Sequence, residues 1–213
     1  MLKLIMAVLS YTKDRLDDII AKASDVLING GIIAYATESF YALGALATDE
    51  KAVRRLFALK SRPTEKPLPL IVGDNDVLLS VVKYIPDQAK VLMEHFWPGP
   101  LTLVLEARDG VSPLLTGGTG NVAVRIPGEC AALYLSRALA LPLTATSANP
   151  SAKPPAETAG EVINYFGEGV DLIIDSGKSP GGKPSTIVDV TVVPLRILRE
   201  GRVSLKNFKL SLK

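Results

Sequence analysis

Three cations, Lys60, Arg62 and Lys66, stand within seven residues on a segment stiffened by Pro63 and Pro67. Arginine meets phosphate oxygens with a planar fork and lysine adds a mobile point charge, so this spacing suits an anionic ligand. The competing reading is a solvated loop, and charge alone leaves the two even. Residues 144–149 (TATSAN) put short hydroxyls and an amide at the end of an apolar run. Ligands sit at such strand ends in open α/β sheets, although turns use the same residues. Arg125 interrupts the apolar run VAVRIP. A charge there is costly unless it meets a buried acid or a ligand's carboxylate or phosphate, and the ligand is the favoured reading. A glycine-rich stretch, 181–189, delivers Ser185 and Thr186 to a strand start, and Arg199 ends another strand before Glu200-Gly201.

These candidates are rich in cations and hydroxyls and poor in strong bases. They suit a reaction that needs positioning and charge stabilisation more than proton abstraction. Adenylation is one: a carboxylate attacks the α-phosphate of ATP and pyrophosphate leaves. Other chemistries find little support. A Walker-type phosphate loop is absent, and the glycines at 117–120 have the wrong spacing for a dinucleotide fingerprint. The single histidine, His95, falls in an amphipathic helix beside Phe96 and Trp97, which assigns it to core packing rather than to a Ser-His-Asp triad. One cysteine, Cys130, excludes an intramolecular disulfide and a multi-cysteine metal site, and reads as a small buried hydrophobe near a helix start.

The elements that must position these groups follow from apolar periodicity. Leu16, Ile19, Ile20, Ala23 and Leu27 share one helical face over 13–30, stopped by Gly30-Gly31. A strand at 32–36 leads through small residues to a helix over 50–60, capped by Thr48 or Asp49, with Val53, Leu56 and Phe57 inward. The run 67–73 reads as a strand buried on both faces. Helices are predicted at 75–83, 86–96, 129–140 and 157–166, and strands at 101–106, 122–126, 143–146, 170–175, 185–190 and 195–199. Strands alternate with helices early and follow one another late, which predicts one α/β domain with a mixed sheet.

The chain has 213 residues and a net charge of +2, too mild for tight electrostatic binding to nucleic acid. The apolar opening, 1–9, lacks a cleavage pattern and no run is long enough to span a bilayer, so a cytoplasmic protein is expected.

Seven stretches, taken in order, resemble the YrdC/TsaC family, the threonylcarbamoyl-AMP synthases. They are ATESFYALGA (36–45), KSRPTEKPLPLIV (60–72), FWPGPLTLVL (96–105), VAVRIP (122–127), TSANPSAKPP (146–155), STIVD (185–189) and LREG (198–201). The resemblance implies a single-domain form, with a core of about 16–202 and a basic tail, 203–213. Its fold is a twisted mixed sheet with flanking helices around a positively lined cavity. The implied reaction joins L-threonine, bicarbonate and ATP, carried with Mg2+, into threonylcarbamoyl-AMP and pyrophosphate. A partner threonylcarbamoyl transferase complex then modifies tRNA, which this chain meets indirectly or weakly.

Position by position, the resemblance places Lys60 and Arg62 on the ATP phosphates as the catalytic pair. Lys66, Asn121, Ser147, Asn149 and Arg199 are also placed on the nucleotide. Thr37, Ser39, Arg125 and Ser185 fall at threonine-binding positions. Ala36, Ala42 and Gly73 depart from the family's usual Pro, Gly and His. The rival readings are a non-catalytic RNA-binding module of the same fold and a carbamoyl-adenylate activity like that of hydrogenase-maturation proteins.

Overall fold

In a computed structural model, which describes residues 6–205, two mixed sheets share the chain and helices pack against them. The expected class is met, but the single expected sheet is two. The first holds β1 (Ala7–Ser10), β2 (Ile33–Ala36), β3 (Tyr41–Gly44), β8 (Thr146–Ser147) and β9 (Leu172–Asp175), in the order β1-β9-β2-β3-β8. The second holds β4 (Leu70–Ile71), β5 (Leu101–Glu106), β6 (Asn121–Arg125), β7 (Leu143–Thr144), β10 (Thr186–Asp189) and β11 (Arg196–Arg199), in the order β11-β10-β5-β6-β4-β7. Residues 143–146, read from sequence as one strand, are where the chain crosses over. Thr144 pairs with Leu70 in one sheet and Thr146 with Leu43 in the other. Between them Ala145 donates its N–H to the Pro69 carbonyl at 2.7 Å.

The helices are α1 (Leu16–Ile28), α2 (Glu50–Lys60), α3 (Asn75–Val81), α4 (Asp87–Phe96), α5 (Pro113–Thr116), α6 (Ala131–Leu139) and α7 (Ala159–Phe166). In α1 the buried residues Ile19, Ala23 and Leu27 recur every four positions, which packs one stripe inward. The Asp49 side chain caps α2, accepting from the N–H groups of Lys51 at 2.9 Å and Ala52 at 3.1 Å. Val53, Leu56 and Phe57 face inward as their spacing implies, and burying each contributes about 1.5–3 kcal/mol. Helix α2 ends at Ser61, whose φ of 49° is left-handed and turns the chain into the cation-bearing loop.

Four short elements escaped the periodicity: β1, β3, which the sequence reads as a turn through small residues, α5 and, as a separate strand, the crossover strand β8. His95 corrects an expectation. Its ring is exposed on α4, with Nδ1 2.8 Å from the Val91 carbonyl, because the buried face of that helix is carried by Gln88, Ala89 and Leu92. Cys130 is buried directly before α6, as expected, and burial raises its thiol pKa. Ala42 lies in extended backbone of β3, opposite Tyr35, where a Cβ is accommodated. Gly73 is closed to any larger residue, since an added Cβ would meet the Arg137 backbone nitrogen at 2.7 Å. Among the described residues no helix is long and apolar enough to cross a membrane. Of the segments read from sequence, 1–5 of the apolar opening and 206–213 of the basic tail lie outside the described residues.

Candidate functional site

One edge of the second sheet collects the polar groups. Strands β5 and β10 run parallel and begin there, with Thr102 the second residue of β5 and Ser185 directly before β10. Strands β6 and β11 run antiparallel to those neighbours and end there, at Arg125 and Arg199. Strand direction alone therefore brings residues far apart in sequence to one rim. Facing that rim are the turn after β2, with Thr37 and Ser39, and the crossover residues Ala145–Ser147. Together they line a cavity of about 450 Å³. Of the residues singled out from sequence, Thr37, Ser39, Arg62, Arg125, Ser147, Ser185 and Arg199 line it, while Lys60, Lys66, Asn121 and Asn149 do not.

Arg125 is 8% exposed, and of the two partners its sequence context left open it meets the buried acid, while it also lines the cavity. Its Nη1 donates to Oε1 of Glu38, and the rest of its guanidinium makes no other hydrogen bond among the described residues. Glu38 had no role in the sequence reading. Its only signal was that it sits between Thr37 and Ser39. Those neighbours form a compact turn: the Thr37 hydroxyl donates to the Phe40 carbonyl at 2.8 Å and lies 3.3 Å from the Ser39 hydroxyl.

Ser185 and Arg199 are bonded to each other, although the resemblance divided them between the two substrates. Arg199 Nη2 donates to the Ser185 carbonyl at 2.8 Å and to its hydroxyl at 3.1 Å. The Ser185 hydroxyl also lies 3.0 Å from that of Thr102, a cavity residue that sequence reading missed. Thr102 followed an apolar pattern (LTLVL) and gave no separate signal. Desolvation by the cavity walls, and then Arg125, lower the Arg199 pKa. Gly201 makes the crossing possible: an added Cβ would sit 2.2 Å from the Pro184 carbonyl oxygen.

The other end of the cavity is built from loops. Lys60 is 2% exposed, and its ammonium donates to the Ser147 carbonyl, to the Asn149 carbonyl at 2.5 Å and to Asn149 Oδ1 at 3.4 Å. The Lys60 carbonyl in turn accepts from the Ser151 N–H at 3.0 Å. Lys60 is therefore a clamp on the 147–151 turn, not a cation exposed in the cavity. Burial, and then Arg62, push its pKa down to about 7, while three oxygens offer one acceptor to each ammonium N–H. Asn149 closes the same turn. Its Oδ1 accepts from the Ser147 hydroxyl at 2.5 Å and its Nδ2 donates to the Lys153 carbonyl at 2.5 Å.

Arg62 differs from Lys60. It donates to the Pro67 carbonyl at 2.8 Å and still lines the cavity, and desolvation lowers its pKa. Lys66 is exposed, and Asn121 begins β6 at the end opposite Arg125. The loop between Arg62 and Pro67 rests on Gly117, whose φ of 60° and missing Cβ allow Glu65 to approach; a Cβ would be 2.5 Å from its carbonyl oxygen. Behind the rim the Tyr41 hydroxyl donates to the Gly177 carbonyl at 2.8 Å, which ties the loop after β9 to β3. Burial, and then Asp175, push the Tyr41 pKa up to about 12.

A two-ended cavity walled by arginines and hydroxyls on paired mixed sheets is a ligand-binding architecture. The Sua5/YciO/YrdC family model, described as telomere recombination, matches residues 25–201, and the chain belongs to that family. Over 205 residues it is 38% identical to the threonylcarbamoyl-AMP synthase of Pyrococcus abyssi, covering 96% of this chain and 60% of that protein. Over 173 residues it is 42% identical to the threonylcarbamoyl-AMP synthase of Idiomarina loihiensis, covering 79% of this chain and 91% of that one. The crystal structure of P. abyssi Sua5 complexed with L-threonine superposes with a TM-score of 0.87 at 38% identity, over 94% of this chain and 58% of that chain. The chain thus spans about three fifths of the length of the P. abyssi relative.

Proposed function

We propose that the protein is a threonylcarbamoyl-AMP synthase, joining L-threonine, bicarbonate and ATP with release of pyrophosphate and water. The observation that supports this most is the pairing, in one cavity, of a loop-built cationic end at Arg62 and Ser147 with a hydroxyl-rich end at Thr37, Ser39, Arg125 and Ser185. Similarity to proteins named for that activity favours it over an RNA-binding module.

On this reading the free edge of Arg125 grips the threonine carboxylate, with the Thr37, Ser39 and Ser185 hydroxyls around it. Arg62 and the Ser147 hydroxyl hold the triphosphate, and Lys60 and Asn149 shape the turn that presents Ser147. Arg199, bonded to Ser185, stands at the border where the carbamate oxygen attacks the α-phosphorus and the bond to pyrophosphate breaks. There its charge offsets the negative charge that builds on the phosphate. Magnesium enters as part of the ATP substrate, since the cavity's described lining contains no carboxylate to hold it. Lys66 and Asn121 serve the nucleotide at most from its outer side. The product passes to a partner transferase that acts on tRNA, in the cytoplasm.

Purified protein given L-threonine, bicarbonate and ATP-Mg releases pyrophosphate above a threonine-free control. Equal release in both reactions rejects the proposal.

A further inference from the structure

The Glu38–Arg125 pair is an unusual wall for an anion-binding cavity. Glu38 is mostly buried, and one of its carboxylate oxygens, Oε2, is buried without a hydrogen-bond partner among the described residues. Leaving such an oxygen unsatisfied costs stability, so a packing role alone is a poor reason for a carboxylate there. That oxygen is shielded from solvent, so Glu38 acts through Arg125 rather than on a ligand. Behind the pair stand Tyr35 and Cys130, both buried and both held protonated by burial. Charges at this site are therefore poorly screened, and each one counts.

The opposing cation is Arg199, close enough to Arg125 for each to repel the other's charge. Two unneutralised arginines at one end would draw in any polyanion, including the triphosphate and the pyrophosphate product. A free amino acid is a zwitterion with no net charge at neutral pH. Discrimination between the two ligands then depends on how much positive charge this end presents.

We infer that Glu38 is a specificity-determining residue: by pinning one edge of Arg125 and cancelling its charge, it fits this end of the cavity to a zwitterionic amino acid and turns polyanions away toward Arg62. Arg125 also lines the cavity, and its remaining N–H groups make no side-chain hydrogen bond among the described residues, which leaves donors for the planar fork that a carboxylate accepts. The inference rests on the proposed activity for the identity of the amino acid, but its charge logic does not.

Calorimetric titrations of L-threonine and of pyrophosphate into the full chain test it, with Glu38→Gln and Glu38→Asp compared with wild type. In Glu38→Gln, threonine binds at least about fivefold more weakly while pyrophosphate binds at least about fivefold more tightly, and pyrophosphate now displaces threonine. Glu38→Asp keeps the charge but shortens the reach, so threonine weakens while pyrophosphate affinity stays at the wild-type value. A merely structural Glu38 would weaken both ligands together, and that outcome, or unchanged affinities, overturns the inference. If Glu38→Gln does not fold, tighter pyrophosphate binding by Glu38→Asp overturns it alone. If wild type binds no threonine, the proposed activity fails, and the pyrophosphate comparison still decides the role of Glu38.

Discussion

The two ends of the cavity hold their cations with different materials. At the Arg125 end, the arginines project from strands in register and are braced by Glu38 and Ser185. At the Arg62 end, Arg62 and Lys60 are braced by main-chain carbonyls of the 62–67 and 147–151 loops. A sheet edge fixes positions through many ladder hydrogen bonds, whereas a turn held by a few bonds can adjust. The difference suits a small amino acid at the rigid end and a long, flexible triphosphate at the other.

Breaking the rigid end has the largest expected effect. Arg125→Ala abolishes threonine-dependent pyrophosphate release. It also lowers stability by about 3 kcal/mol, because Glu38 keeps its place without a counter-charge. Urea unfolding checks the second figure, and unchanged stability would mean that the ion pair does not brace the fold.

At the adjustable end, Lys60 gives a pH signature. Its folded pKa, about 7, lies below the ordinary 10.5. Below about pH 7 the lysine is charged in both the folded and unfolded states, and folding bears the full cost of burying the charge. Between about 7 and 10.5 the unfolded chain binds more protons, so stability rises with pH, and above that range the rise ends. Lys60→Met removes this rise, by up to about 1.4 kcal/mol per pH unit, and loosens the Ser147 turn so that ATP binds about tenfold more weakly. Parallel stability curves for the two proteins from pH 7 to pH 9.5 would show that Lys60 does not titrate there.

Arg62→Ala has a smaller reach. ATP binding weakens about tenfold, through the loss of one charge-assisted contact, while urea stability changes by less than about 0.5 kcal/mol. Lys66→Ala, exposed and without a side-chain hydrogen bond among the described residues, changes ATP affinity by less than about twofold. A tenfold loss there would extend the cavity's working cations beyond Arg62.

Much of this was legible before the fold was seen, for reasons that particular residues make clear. Helix α2 announced itself through Asp49 and the Val53, Leu56, Phe57 stripe, because capping and periodicity are local. Arg125 announced itself because a charge in an apolar strand demands a partner. The partner, Glu38, lies 87 residues away on the turn after β2, and only the packing of one sheet's turn against the other sheet's rim could supply it. Thr102 was hidden inside LTLVL, since a threonine in a strand is ordinary until its strand begins at a cavity. Lys60 and Arg62 looked alike in sequence and differ in the structure. The left-handed turn at Ser61 directs one under the 147–151 loop and the other toward the cavity. The single expected sheet became two because a crossover through one residue, Ala145, between Thr144 and Thr146 leaves no periodic trace.

The direct test of two separate ends is a crossed titration: L-threonine and ATP, each into Arg125→Ala and into Arg62→Ala, by calorimetry. A divided cavity predicts that Arg125→Ala loses threonine binding and keeps ATP within about threefold, while Arg62→Ala weakens ATP and keeps threonine. Equal loss of both ligands in either variant would contradict it.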